Sequence, residues 1–352
     1  MDLTELLGEA KKLEASDLHI TVGVPPQVRV NGALIAMEGY PRLMGNDTQA
    51  LVESIMGERQ KNIFEEKGEV DFSFGIPALG RFRVNAFRQR GTTAAAFRLV
   101  STEVPSPESL GLPQSVIDLY QKNSGLVLVT GPTGSGKSTT LASIIQRINE
   151  TRRNHIITLE DPIEYLYRHS KSLVNQREIG LDTRSYAAAL RAALREDPDV
   201  ILVGKMRDLE TISTAITAAE TGHLVFSTLH TIGAASTIDR IIDVFPAEQK
   251  DQIRVQLSMV MEAVISQRLL PKSDGSGRTG VFEVMHVNTA VRSLIRDGKT
   301  YQIPSIIQTN RKSGMITMDD ALLEKYRAGI ISRKMLVDYA VDPASMEKRL
   351  LY

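Results

Sequence analysis

The chain has 352 residues and no cysteine. Disulfides, thiolate nucleophiles and Cys-ligated zinc are thereby excluded. It also lacks an excess of either charge: 42 Lys and Arg face 42 Asp and Glu, for a formal net charge of zero. A polyanion partner gets no support from that balance, and no nucleic acid is expected. Long apolar runs are missing too, the longest being about five residues where a membrane span needs roughly 18. The N-terminal Met1-Asp2-Leu3-Thr4-Glu5 has neither the basic nor the apolar segment of a secretory signal. A soluble, cytoplasmic protein is the expectation. Six histidines (His19, His155, His169, His223, His230 and His286) show no HExxH spacing, so no transition-metal site is expected.

The length suffices for two domains, or three small ones. Leu3, Leu6, Leu7, Ala10 and Leu13 recur at helical spacing, which predicts a helix over 3–14. Strand patterns follow at 27–34, where Asn31-Gly32 signals a hairpin, and at 70–76, 80–90 and 92–100. Residues 1–100 thus read as an α+β domain. A proline-rich stretch makes 101–115 an expected linker. Beyond it, short apolar runs at 126–130, 156–159, 200–203 and 224–229 alternate with helical patterns, as in an α/β domain built on parallel strands. That domain is expected over 116–285, with a long helix at 247–270, a strand at 280–285 and a helical C-terminal region over 286–352.

One motif dominates. Gly131-Pro132-Thr133-Gly134-Ser135-Gly136-Lys137-Ser138 follows an apolar strand pattern and opens a helical one, continuing with Thr139. Glycines at 131 and 136 let backbone amides turn inward on a phosphate at a helix N-terminus. Lys137 is suited to neutralise the β- and γ-phosphates, and the Ser138 hydroxyl to ligate Mg2+. ATP and Mg2+ are the expected cofactors.

Phosphoryl transfer also needs acceptor groups near the loop, since a lysine ammonium cannot take a proton. Ile157-Thr158-Leu159-Glu160-Asp161-Pro162-Ile163-Glu164 ends a buried strand in three carboxylates, at the edge where α/β sheets hold ligands. Helix caps or solvated acids are the plainer alternative for them. The strand Val200-Ile201-Leu202-Val203 ends instead in Gly204-Lys205, where an acid is expected, and Thr228-Leu229-His230 ends another strand, where its polar groups could sense a γ-phosphate. Arg81, Arg83 and Arg98 lie on strand patterns of the first domain, as solvated side chains or as charge offered to a neighbouring subunit's triphosphate.

Taken together, these motifs resemble the secretion and pilus ATPase superfamily, most closely its type IV pilus retraction ATPases. Ala15-Ser16-Asp17-Leu18-His19-Ile20, Gly80-Arg81-Phe82-Arg83-Val84, the phosphate loop, the acidic box and Ala290-Val291-Arg292-Ser293-Leu294-Ile295-Arg296 carry the likeness over essentially the whole chain. The resemblance implies a PAS-like N-terminal domain, a RecA-like P-loop ATPase domain and a homohexamer with ATP between subunits. It further implies work on an inner-membrane pilus platform protein at the cytoplasmic face, with a paralogous pilus ATPase as a further partner. By the same route Glu164 becomes the functional glutamate of the acidic box and a Mg2+ ligand beside Ser138, with Glu160 in the same box. His230 becomes the histidine of the His box, and Arg81, Arg83 and Arg98 fingers toward a neighbour's nucleotide.

One departure stands out. Members of the superfamily carry glutamate where this chain has Lys205. That residue is expected to orient the attacking water, and loss of general-base help is worth roughly 10²- to 10⁴-fold in rate. Slow or absent hydrolysis is the expectation, with Lys205 pairing Glu160 or Glu164. A non-catalytic ring subunit beside an active paralogue remains open. So does a pilus assembly or type II secretion ATPase, although those relatives commonly carry a tetracysteine zinc motif that this chain lacks.

Overall fold

The computed structural model describes every residue except Asn31, Ala78, Ser101, Thr102, Leu351 and Tyr352. Asn31 of the expected hairpin and the first two residues of the expected linker therefore lie outside the described residues. The chain divides into two compact units, one of Met1–Glu103 with Pro162–Leu166, the other of Val104–Asp161 with Tyr167–Tyr352.

The first unit is an antiparallel sheet with helices. Its strands are β1 (Asp17–Ile20), β2 (Gln27–Val30), β3 (Ala33–Ala36), β4 (Glu69–Ile76), β5 (Gly80–Gln89) and β6 (Thr92–Val100), in the order β3-β2-β1-β6-β5-β4. Alternation along β5 sends Phe82, Val84 and Ala86 inward and leaves Arg83 exposed. The helix Leu3–Lys12 buries Leu3, Leu6, Leu7 and Ala10, and Asp2 caps its start through the amide of Thr4. Phe74 stacks on Phe82 at 5.5 Å and meets Phe97 edge-on at 6.5 Å.

In the second unit seven strands form one sheet: β7 (Gly125–Thr130), β8 (His155–Glu160), β9 (Leu173–Glu178), β10 (Val200–Val203), β11 (Leu224–Leu229), β12 (Met261–Pro271) and β13 (Arg278–His286). The order is β13-β12-β7-β11-β10-β8-β9, every neighbouring pair parallel except β12 with β13. Both faces are covered, as a parallel sheet requires. Leu126 and Leu128 of β7 join one core with the helices Leu209–Glu220 and Ala234–Asp243. Val127 and Val129 point the other way, onto Leu141, Ile144 and Ile148 of the helix Lys137–Thr151. Among the described residues no helix is long and apolar enough to cross a membrane.

The stretch 247–270 departs from its expected single helix. A helix covers Lys250–Val260, and the chain then runs straight into β12. Val264 and Ile265 favour a pleated, doubly buried position, and a strand buried on both faces has no periodicity to betray it. β12 fills the place beside β7, which becomes important below.

The helices from Met318 onward pack as a further cluster, in which Met318, Leu322, Ile331 and Leu336 sit on Leu270 and Val281, whereas Val291, Ile295, Ile303 and Ile307 join the sheet core. Glu283 ties this cluster to the sheet core. Its Oε1 accepts from the amide of Ala234 at 2.7 Å and its Oε2 from that of Met318 at 3.3 Å, the first residues of two helices. Burial pushes its carboxyl up, and those two amide bonds oppose the rise.

His286 at the end of β13 has a partly buried ring whose Nε2 finds no hydrogen-bond partner. Burial first, then the Lys122 ammonium, holds it below the ordinary histidine value of 6.5, against weaker upward pulls from Glu262 and Asp118. A group with a depressed folded pKa leaves the unfolded chain binding more protons, so stability is complete above the unfolded value and declines as pH falls below it. Denaturant midpoints should therefore drop on going from pH 7.5 to pH 5.5, and His286→Gln should reduce that drop. An identical pH slope in the variant would remove His286 as a contributor.

Candidate nucleotide site

β7 is buried along its whole length and delivers the chain to Gly131. Gly131 takes φ +142°, Gly134 φ +78° and Gly136 φ +87°, and Gly136 caps the helix Lys137–Thr151. A Cβ on Gly131 would run into the backbone carbonyl of Gln267 and lie 2.8 Å from Ser135 Oγ. The glycine is dictated by packing as well as by φ. Pro132, Thr133 and Gly134 form the exposed crest, Ser135 lies buried beneath it, and Ser138 and Thr139 sit half-buried on the first helical turn. That turn contains no acid, so the positive end of the helix is left for an anion.

Lys137 is 8% exposed, and its Nζ donates to the carbonyls of Gly131 at 2.9 Å and Pro132 at 2.8 Å. The ammonium is thus held inside the concavity of the loop, where phosphate oxygens could replace carbonyls as its acceptors.

Gln267 completes the loop, and sequence reasoning missed it. It lies on β12 next to β7, one residue beyond the pair Ser266 and Thr130. Its side chain is 4% exposed. Nε2 donates to the Ser135 carbonyl at 2.6 Å and Oε1 accepts from Thr140 Oγ1 at 2.8 Å. One amide therefore holds the loop by its bend and its helix by the first turn. No local signal marks such a residue, since its partners come from a distant strand and helix.

The strand order sets the other candidates in a row beside the loop. The C-terminal ends of β7, β11, β10 and β8 follow one another at about 4.8 Å per strand. Thr228 Oγ1 donates to the Gly204 carbonyl at 2.6 Å, which fastens the end of β11 to that of β10. His230 is exposed and lies 3.4 Å from an Arg207 guanidinium nitrogen. Its pKa is lowered by partial burial first, then by Lys137, Arg207 and Lys205. Its ring therefore favours the neutral form.

Lys205 does not pair with Glu160 or Glu164. Its Nζ donates to the Asp161 carbonyl at 2.9 Å and lies 3.6 Å from Asp161 Oδ2. Glu160 is engaged elsewhere, its Oε1 accepting from Thr158 Oγ1 at 2.6 Å and Gln176 Nε2 at 3.1 Å. Glu164 is exposed and belongs to the segment grouped with the first unit. No group of three or more His, Asp or Glu suited to a metal occurs among the described residues.

Arg81, Arg83 and Arg98 lie on β5 and β6 of the first unit, with Arg83 directly opposite Arg98. Arg98 Nε donates to Asp17 Oδ1 at 2.9 Å and Arg81 to Ser73 Oγ at 2.6 Å; Arg83 and Arg98 are both exposed.

The model of the family described as "Type II/IV secretion system protein" matches residues 1–338. The chain belongs to that family. Among members of this secretion family, the type IV pilus retraction ATPase PilT of Pseudomonas aeruginosa is 51% identical over 343 residues, covering 97% of this chain and 99% of that one. The type IV pilus ATPase PilU of the same organism is 40% identical, over 94% of this chain and 87% of its own. A crystal structure of the pilus retraction motor PilT with bound ADP superposes with a TM-score of 0.92 at 52% identity, covering 99% of both chains. The two-domain α/β fold of these secretion ATPases is therefore the fold of this chain.

Replacing Gln267 with Leu leaves the Ser135 carbonyl and the Thr140 hydroxyl without their partner. Stranding buried polar groups costs about 1–3 kcal/mol of fold stability, and ADP should bind more weakly because the loop is no longer held in shape for it. Titration with a fluorescent ADP analogue reads the change, with far-UV circular dichroism as the check on folding. Unaltered affinity in a folded Gln267→Leu protein would take Gln267 out of the site.

Proposed function

We propose that this chain is the ATP-binding motor subunit of a type IV pilus retraction machine. It works as a homohexamer with nucleotide between subunits, on an inner-membrane platform protein at the cytoplasmic membrane face, alongside a paralogous pilus ATPase. The supporting observation is the PilT likeness over nearly the full length of both chains, combined with a phosphate loop in which Gly131 closes against Gln267 and the Lys137 ammonium is held inside the loop.

In this scheme the loop amides from 133 to 139 and Lys137 hold the β- and γ-phosphates. Ser138 supplies a hard oxygen to Mg2+, an ion that keeps most of its coordination for phosphate and water and so needs few protein ligands. Glu160 and Glu164 contribute the acidic field around that ion, with Glu164 as its further ligand. His230 responds to the γ-phosphate. Of the three arginines Arg83 has the greatest reach toward a neighbour's nucleotide, because Asp17 and Ser73 hold Arg98 and Arg81.

Lys205 sets the rate. An ammonium at the end of β10 cannot accept a proton from water, and its contact with Asp161 draws it toward the acidic box. Hydrolysis is slow while binding persists. The same contact favours a second reading, a subunit that uses nucleotide to set the ring's conformation and leaves turnover to a paralogue.

Lys205→Glu should raise the steady-state ATPase rate by roughly 10²- to 10⁴-fold, the range for restored general-base help. ATP affinity, measured in parallel, should change little. An ATPase rate unmoved by the substitution would discard the assignment of Lys205 as the block.

A further inference from the structure

Next to the row of strand ends lies a cavity of about 290 Å3 between β10, β11 and the helices Leu209–Glu220 and Ala234–Asp243. Its floor is apolar, from Met206, Ile212 and Leu229, and its ionisable lining is Lys205, Arg207, His230 and Arg240. Among the described residues no carboxylate lines it.

The cations are poorly compensated. Among the described residues Arg207 meets only the ring of His230, at 3.4 Å. Arg240 makes no hydrogen bond or ion pair among the described residues, and Asp243, the acid that feels its charge, is bound to Lys250 at 2.7 Å. Lys205 shares Asp161 at 3.6 Å and keeps part of its charge for the cavity. Two guanidinium groups and a partly neutralised ammonium thus surround a low-dielectric floor, an arrangement that attracts a compact anion strongly. The volume sits at the small end for ligand pockets, which points to an anion of few atoms.

We propose that this cavity is a binding site for a tetrahedral phosphoryl anion, held by Arg207, Arg240 and Lys205 past the ends of β10 and β11. With glutamate at 205 the same cavity would hold an opposing charge. Replacement by lysine turns a catalytic position into part of an anion receptor. Phosphate is named as the occupant because the proposed function is ATP binding; the uncompensated cations stand without it. His230 takes part as the neutral member of the lining, able to accept from a guanidinium or donate to the anion.

The test uses the full chain saturated with Mg-ADP, so that the phosphate loop is filled, and titrates orthophosphate by calorimetry. One site should appear, weakened by roughly tenfold or more in Arg240→Gln, in Arg207→Gln and in Lys205→Glu, since each removes a charged hydrogen-bond donor or its charge. The His230 ring resonance, followed by NMR, should titrate at higher pH once phosphate is bound, because an anion offsets the surrounding cations. A non-hydrolysable ATP analogue separates the sources: continued phosphate binding identifies free phosphate as occupant, and displacement identifies the terminal phosphoryl group of ATP. No phosphate binding to the ADP complex, or binding untouched by Arg240→Gln, overturns the proposal. The two readings fail separately. If Lys205→Glu restores turnover but phosphate does not bind, only the anion site falls; if phosphate binds and turnover does not respond, only the hydrolysis block falls.

Discussion

The contact on which the nucleotide site depends is between two pieces of backbone: Gly131 lies against the carbonyl of Gln267, with no room for a Cβ. This contact fixes how closely the phosphate loop approaches β12. The side chain of the same glutamine can then reach both the Ser135 carbonyl and the Thr140 hydroxyl. A loop rich in glycine is entropically expensive to order, and here the ordering comes from a neighbouring strand rather than from the loop's own sequence. Lys137 folds into the space so defined. Preorganised donors of this kind act on a phosphate without first having to rearrange.

Sheet order accounts for the rest of the site. With β11 between β7 and β10, and β8 beyond, four strand ends present polar groups along one edge. Charge is distributed unevenly along it. The end of β8 is acidic, those of β10 and β11 are cationic or neutral, and Lys205 bridges the acidic and cationic portions through Asp161. A single side chain thus alters both the charge balance of the edge and the chemistry available there.

How much of this was legible depended on whether a signal was local. The strand, loop and helix around Gly131 and Lys137 carry their information in consecutive residues, as do the alternating strands β4, β5 and β6. Gln267 left no trace, because a buried amide is recognisable only by partners that the fold brings from elsewhere. β12 was misread for a related reason: the apolar stretch Ala263–Ile265 is covered on both faces and shows no alternation, so it continues the pattern of the helix before it. The partner of Lys205 was misassigned because a backbone carbonyl, that of Asp161, takes the ammonium, and sequence reasoning looked only to carboxylates. Glu160 turns to Thr158 and Gln176, leaving Asp161 to the lysine.

Glu283 has a mechanical consequence. A carboxylate has two oxygens, and each of these caps a different helix, one beginning just past His230 and the other among the C-terminal helices. Sliding either helix away from β13 would strand a buried amide, which makes the pair behave as a strut with a single shared pin. A displacement at the edge of the nucleotide site and a displacement of the C-terminal cluster are, through that pin, one degree of freedom instead of two.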